Sequence, residues 1–204
     1  MLFFLLSYPI LGAGIKFIDA AYDDKTFSKK AALVLAPFLG LLWAYAMMIS
    51  PVSATILLAI VCGVVLKGKI DNYAHLIGLL VIIGIVILAR VELLIIPLIF
   101  LSLSALLDEV GNDLVDKNKK HLNEDFFVHK FVISFFDQRW FMKVAILCIA
   151  LIGIIPLYFF FAMLFFDGAY LMMRWYSKQP KTTIMYKLKA LRTIIIPEHN
   201  ILEN

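Results

Sequence analysis

Long apolar blocks, separated by short polar segments, are the feature of this chain that most limits what it can fold into. The blocks cover residues 2–18, 31–49, 52–66, 73–89, 93–107 and 144–166. Runs of about 18 or more apolar residues are typical of helices that cross a bilayer, whereas transmembrane barrels need segments of about ten residues with alternating polarity. The sequence therefore predicts an all-α fold, a polytopic transmembrane helical bundle of six or seven spans over residues 1–176, followed by a basic tail at 177–204.

The composition supports the same class of protein. Hydrophobic residues make up 63% of the chain and charged residues 17%, whereas soluble domains carry roughly a quarter charged residues. The net charge of +4 is explained by Lys and Arg at the ends of spans, where they orient a membrane protein and meet anionic headgroups. We expect membrane lipids as partners and no nucleic acid, because no basic stretch is interleaved with aromatic residues.

One further segment, at 126–142, is shorter and more polar than the blocks. When it is plotted as a helix, its apolar side chains share one broad face: Phe127, Val128, Phe131, Val132, Phe135 and Phe136. Lys130, Ser134 and Asp137 share the opposite face. This pattern favours an amphipathic helix over 126–137 that lies in the membrane interface, and a seventh span is the alternative.

Alternation of the spans divides the polar segments between the two sides of the membrane. Residues 19–30, 67–72 and 108–125 share one side and carry Lys25, Lys29, Lys30, Lys67, Lys69, Lys117, Lys119 and Lys120. The turns on the other side, at 50–51 and 90–92, carry only Arg90. Because Lys and Arg are enriched in cytoplasmic loops, the first side is predicted to be cytoplasmic, with the cell membrane as the expected location.

The last apolar block decides where the tail lies. Residues 144–166 predict one full span, bent at Pro156, because proline interrupts the helical hydrogen bonds. Combined with an interfacial helix at 126–137, this span would leave the basic tail on the side opposite the other basic segments. It would also leave Asp167 far from the acidic residues of the cytoplasmic segments. If 126–142 crosses the membrane instead, there are seven spans and the tail lies on the cytoplasmic side.

Carboxylates are concentrated in the three cytoplasmic segments, close to the ends of spans. Converging carboxylates repel one another unless a cation lies between them, and Mg²⁺ typically bridges carboxylates to substrate phosphates. The predicted Mg²⁺ ligands are Asp19, Asp23, Asp113 and Asp116. The predicted substrate-binding residues are Lys16, Asp24, Lys67, Lys69, Asp71, His75, Asp108 and Asn112. No catalytic residue is assigned, and ordinary solvation of loop residues is the alternative explanation of these acids.

Two short stretches resemble motifs of one known family. GNDLVDKNKK, residues 111–120, resembles the first aspartate-rich motif of the UbiA prenyltransferase superfamily, N-D-x-x-D-x-x-x-D, with Lys120 at the last acidic position. The matching residues are Asn112, Asp113 and Asp116. DAAYDD, residues 19–24, is similar to the second motif, and the two motifs occur here in the opposite order. The resemblance implies that both motifs bind Mg²⁺ and a prenyl diphosphate at the cytoplasmic face.

The leading hypothesis is a Mg²⁺-dependent membrane transferase that acts on a prenyl diphosphate or another phosphorylated lipid. Lys16, Lys67 and Lys69 would add positive charge against the departing diphosphate. A cation-binding transporter or channel and a non-enzymatic membrane scaffold stay open as alternatives. Transporters usually place ionisable residues near the bilayer midplane, and the apolar blocks are almost free of charge at their centres.

Overall fold

The computed structural model describes residues 1–68, 72–118 and 126–179, and all regular secondary structure in this part of the chain is helical. The helices are α1 (Leu2–Tyr22), α2 (Lys29–Met48), α3 (Pro51–Leu66), α4 (Tyr73–Ala89), α5 (Ile95–Asn118), α6 (Phe127–Asp137), α7 (Trp140–Leu151) and α8 (Tyr158–Ser177). The all-α prediction is confirmed. Among these helices, α1, α2 and α5 are long and apolar enough to cross a bilayer, while α3, α4 and α7 are apolar but shorter.

Polar residues between the apolar blocks cap the first helices. The side chains of Ser28, Ser50 and Asn72 each accept a hydrogen bond from a backbone N–H in the first turn of α2, α3 and α4. Such caps satisfy backbone donors that have no partner inside the helix. Pro51 occupies the first turn of α3, where its missing N–H costs nothing. The bounds of α2, α3 and α4 therefore follow the predicted blocks closely.

Helix α5 runs well beyond its predicted end at residue 107. It continues to Asn118, so that the acidic stretch from 108 to 116 lies on successive helical turns and not in a loop. Asp108 and Glu109 are buried there. Burial of two carboxylates is tolerated because both find polar partners at the start of α7, and buried charges need such partners.

The prediction of one span over 144–166 is wrong. A break separates α7 from α8, with Gly153 at φ 79°, a conformation that glycine adopts without strain, and with Pro156 immediately before α8. Lys143 Nζ lies 2.8 Å from Asp167 Oδ2, so α7 and α8 form an antiparallel pair. The expectation that Asp167 lies far from the acidic segments is wrong for the same reason.

Helices α1 and α8 run parallel and in close contact. An ideal Cβ added to Gly12 would lie 2.1 Å from the carbonyl oxygen of Phe166, so only glycine allows this approach. Thr26, just after α1, donates a hydrogen bond to the carbonyl of Ser177 at 3.2 Å. Tyr8 packs against Phe166 from within the core. The two helices therefore end at the same end of the bundle.

Parallel packing also joins α3 to α5 and α2 to α4. Thr55 accepts a hydrogen bond from the backbone N–H of Leu94 at the start of α5. Near the other end of these two helices, Lys67 lies 2.8 Å from Asp113.

Only a short turn, at 90–92, joins the apolar blocks 73–89 and 93–107, and such a short connection predicts that these two helices pack as an antiparallel hairpin. Helix α4 packs on α2 instead. That hairpin prediction is wrong: although the link between the two helices is short, α4 packs on α2 and α5 packs on α3.

These contacts define the polar end of the bundle, where α1, α3, α5 and α8 end and where α2, α4 and α7 begin. Helix α6 lies at this end, since the Phe136 ring packs where a Cβ of Gly111 would stand. It forms where predicted, and its apolar side chains Phe127, Val128 and Phe131 are exposed. Helix α8 also ends at this polar end, at Ser177, and the side of the membrane on which the tail lies stays a prediction. The tail itself, from 180 on, lies outside the described residues.

Candidate functional site

A cavity of about 560 Å³ opens within the polar end of the bundle. This volume is in the range of about 300–1,000 Å³ that is usual for sites that bind small molecules. Its inner wall is apolar and comes mainly from α2, α3 and α4. The residues of this apolar wall are Ile15, Ile18, Ala36, Leu39, Gly40, Trp43, Ile60, Val61, Val64, Val65, Ala74, Gly78, Leu79, Ile82 and Phe166.

The outer wall of the cavity is polar and comes from α1, α4, α5, α8 and the segment between α6 and α7. The residues of this polar wall are Lys16, Asp19, Asp23, His75, Glu109, Asn112, Asp116, Asp137, Arg139, Tyr170 and Arg174. The cavity is therefore amphipathic. The polar wall forms its charged mouth, and the apolar wall forms an inner chamber.

The structure brings half of the predicted site residues to this cavity. Of the four predicted metal ligands, Asp19, Asp23 and Asp116 line it. Of the eight predicted substrate-binding residues, Lys16, His75 and Asn112 line it. The predicted residues that do not line it are Asp24, Lys67, Asp108 and Asp113, while Lys69 and Asp71 lie outside the described residues.

Asp19 is held between two other cavity residues. Its Oδ1 atom lies 2.7 Å from Nε2 of His75, and its Oδ2 atom accepts a hydrogen bond from the Tyr170 hydroxyl at 3.3 Å. The Asn72 side chain accepts from the backbone N–H of His75 at 2.9 Å, which fixes the start of α4. The four-residue spacing predicts Asp71 and His75 on one helical face, and Asp71 lies outside the described residues. His75 contacts Asp19, which lies on another helix.

Arg139 is a permanent cation at the mouth. Its guanidinium lies 2.8 Å from the buried carboxylate of Glu109 and faces the Tyr170 ring at 5.2 Å. Burial alone would lower the pKa of Arg139, but the negative charge of Glu109, with smaller contributions from nearby acidic groups, raises it above its usual value. The opposing effects are those expected for a half-buried cation beside a buried anion.

Two further cations line the mouth, each beside a carboxylate. Arg174 on α8 lies 2.6 Å from Asp137 at the end of α6, so this pair fastens α6 to the bundle. Lys16 lies 3.8 Å from Asp24. Because Asp24 is well exposed and the separation is long, this second pair is weak, and Lys16 is available to an anion that enters the cavity.

Asp108 and Asp113 have structural roles. Asp108 accepts hydrogen bonds from the backbone N–H groups of Phe141 at 2.9 Å and Met142 at 2.8 Å, and it thereby caps the start of α7. A carboxylate is favoured at that position by the helix dipole. Asp113 pairs with Lys67 and ties the ends of α3 and α5 together. Asp108, Asp113 and Lys67 were predicted to bind metal or substrate. Their contacts instead join helices of the bundle, and none of the three lines the cavity.

The described part of the chain does not by itself supply a complete set of metal ligands in this cavity. Within residues 1–68, 72–118 and 126–179, no group of three or more His, Cys, Asp or Glu side chains converges closely enough to hold a metal ion. Mg²⁺ is nevertheless often bound by only one or two carboxylates together with substrate phosphates and water. Asp19, Asp23 and Asp116 are the predicted Mg²⁺ ligands that line the cavity, and Asp23 and Asp116 are the two of them that lie outside the contact with His75 and Tyr170.

Five residues of the polar wall were not predicted from the sequence: Glu109, Asp137, Arg139, Tyr170 and Arg174. Four of them lie beyond residue 126, in the part of the chain whose path the single predicted span misplaced. Gly153 and Pro156, three residues apart in the apolar block, were the available signal for a turn, because both residue types punctuate helices.

Comparison of the chain with protein family models, curated proteins and solved structures finds no match in any of the three. The geometry and charge of the cavity are therefore the features from which a function can be inferred.

Proposed function

We propose that this protein is an integral membrane transferase that binds a prenyl diphosphate, or another lipid with a phosphorylated headgroup, in the amphipathic cavity. The outward-facing surface supports a membrane location. Leu88, Ile96 and Ile87 expose 85%, 81% and 69% of their surface, and large apolar side chains on most of the other helices also face outward. Exposed apolar surface on this scale belongs in a lipid environment and not in water.

Seven passes through the bilayer fit the helix directions best. Helices α1, α2, α3, α4, α5, α7 and α8 would cross, with α6 in the interface at the polar end. Both the basic segments between helices and the start of the tail at Lys178 then share one side, which agrees with the enrichment of Lys and Arg in cytoplasmic loops. Helix α7 has 12 residues and is about 18 Å long, so it crosses only together with the turn that follows it.

The division of the cavity into two walls supports an amphiphilic ligand. A hydrocarbon tail would lie in the apolar chamber between α3 and α4, which face one another across the cavity while packing on different helices, α5 and α2. Its headgroup would lie among Lys16, Arg139 and Arg174 at the mouth. Arg and Lys are the usual partners of phosphate oxygens.

The charge balance at the mouth supports a divalent cation that enters with the ligand. Five carboxylates and three Lys or Arg residues line the cavity, so a bare diphosphate would meet an excess of negative charge. Mg²⁺ bound to the diphosphate would offset this excess, with Asp23 and Asp116 as protein ligands. When the diphosphate departs, Lys16 and Arg139 would stabilise its negative charge, and a bound Mg²⁺ would add positive charge there.

The observation that carries the proposal is the junction of a charged mouth with an apolar chamber, and ligand-dependent stability tests it. The purified full chain in detergent is heated with Mg²⁺ and farnesyl diphosphate, inorganic pyrophosphate or farnesol. Farnesyl diphosphate with Mg²⁺ should raise the Tm most, because a ligand at 100 times its Kd adds about 2.7 kcal/mol. Pyrophosphate would occupy only the mouth and farnesol only the chamber, so each should raise the Tm by less.

Matched variants locate the binding. Lys16→Gln and Asp116→Asn at the mouth should reduce the response to both phosphate ligands, whereas Lys130→Gln on the exposed face of α6 should not. Val64→Phe, which fills the chamber, should abolish the response to farnesyl diphosphate but spare that to pyrophosphate. Leu80→Phe, on an outward-facing position of α4, is its control. If Mg²⁺ and farnesyl diphosphate leave the Tm of the wild-type protein unchanged, this function is excluded and a scaffold role is favoured.

A further inference from the structure

His75 and Asp19 lie where the polar and apolar walls of the cavity meet. His75 is one helical turn away from Gly78 and Leu79, which belong to the apolar wall, and Asp19 is one turn away from Ile15 in the same wall. An amphiphile bound across the two walls joins its headgroup to its tail at this boundary. The bond that breaks when the tail is transferred therefore lies at the level of the imidazole.

The hydrogen bonds of this pair determine which ring nitrogen is free to take a proton. An ionised carboxylate only accepts hydrogen bonds, so the 2.7 Å contact of Asp19 with Nε2 places the ring proton on Nε2. The lone pair is then on Nδ1. Tyr170 holds the second oxygen of Asp19 and so keeps the carboxylate in place. A base whose orientation is fixed by a third group is the arrangement that activates nucleophiles in many enzymes.

We infer that His75 is the general base of the transfer reaction and that Asp19 is its positioning residue; the inference rests on the proposed function. The acceptor O–H gives its proton to Nδ1 of His75 while the acceptor oxygen forms a bond to C1 of the prenyl chain. The bond between C1 and the diphosphate oxygen breaks, and its electron pair leaves with the diphosphate. The acceptor is therefore an alcohol, such as a hydroxylated lipid, with water as a slower substitute.

A purely structural link between α1 and α4 is the competing explanation of the same contact. The assay that separates the two measures diphosphate release from farnesyl diphosphate by the full chain with Mg²⁺ and a total lipid extract, because release reports transfer to a lipid alcohol and to water alike. General bases contribute typically 10²–10⁴-fold, so His75→Ala should lower release by roughly 100-fold or more. Its Tm response to Mg²⁺ and farnesyl diphosphate should persist.

Rescue and conservative replacement make the assay specific for proton transfer. Added imidazole should restore part of the activity of His75→Ala, since it can occupy the vacated space and accept the proton. His75→Gln places an amide N–H close to the position of Nε2 and so keeps a donor for Asp19, but it is a poor base, and it should be as inactive as His75→Ala. Asp19→Asn should lower release by a smaller factor, and His129→Ala on α6 should leave it unchanged.

Three results would overturn the inference. If His75→Ala releases diphosphate at the wild-type rate and still binds farnesyl diphosphate, His75 is not the general base, and the proposed function is unaffected. Full activity of His75→Gln, together with no rescue of His75→Ala by imidazole, assigns the pair a structural role. If the wild-type protein neither binds farnesyl diphosphate nor releases diphosphate, both the proposed function and the role of His75 as general base are wrong.

Discussion

The close contact of α1 with α8 makes a quantitative prediction for Gly12→Ala. The added Cβ would lie 2.1 Å from the carbonyl oxygen, 2.8 Å from the carbonyl carbon and 3.2 Å from the Cα of Phe166. These are backbone atoms, so relief requires the two helices to move apart by about 1 Å. Overpacking of this kind typically costs about 1–3 kcal/mol, and the higher helix propensity of alanine returns up to about 1 kcal/mol.

We therefore expect Gly12→Ala to lower the free energy of unfolding by about 1–2 kcal/mol. The assay is reversible unfolding of the purified protein in mixed micelles, monitored by tryptophan fluorescence. Gly168→Ala on α8 is the matched control: a Cβ there meets no atom within 4 Å, so only the propensity gain remains and stability should rise by up to about 1 kcal/mol. If Gly12→Ala were as stable as Gly168→Ala, the packing of α1 on α8 would be refuted.

Two other predictions follow from the same contacts. Asp108→Asn keeps one of the two acceptor oxygens that cap α7, so one buried N–H loses its partner and the free energy of unfolding should fall by about 1–3 kcal/mol. The control, Asp116→Asn at an exposed position, should change it by less than about 0.5 kcal/mol. Equal effects of the two substitutions would contradict the role of Asp108 as a cap. In a background without native cysteines, Lys178→Cys should react with a membrane-impermeant maleimide from the same side as Ser28→Cys, and Ser50→Cys from the opposite side. A shared side for Lys178→Cys and Ser50→Cys would be incompatible with the α7–α8 hairpin in a membrane.

The parts of the fold that depend on local sequence were predictable. Helix α4 has the predicted bounds because an apolar block follows the Asn72 cap directly. The extension of α5 was not predictable from hydrophobicity, since Asp108 and Glu109 tolerate burial only through partners at the start of α7, about thirty residues later. The α7–α8 turn was missed because the apolar residues on both sides of Gly153 read as one continuous block.

The candidate site shows the same division. The sequence placed Lys16, Asp19, Asp23 and Asp116 on a shared side, because apolar block lengths and charge determine alternation, and all four line the cavity. The His75–Asp19 contact and the cation at Arg139 depend on how distant helices pack. A sequence pattern carries no direct signal for such contacts, since ionisable residues in loops are also favoured by solvation alone.

Photolabelling of the full chain shows whether the cavity holds the hydrocarbon tail of a phosphorylated lipid, as we propose. A farnesyl diphosphate analogue with a photoreactive group at the end of its tail is bound in the presence of Mg²⁺, irradiated, and the labelled residues are identified by mass spectrometry. The labels should fall on the apolar wall of the cavity, at Val61, Leu79 or Ile82, and excess farnesyl diphosphate should prevent them. Labels on outward-facing positions such as Leu80 and Ile87 that farnesyl diphosphate does not compete away would contradict the claim.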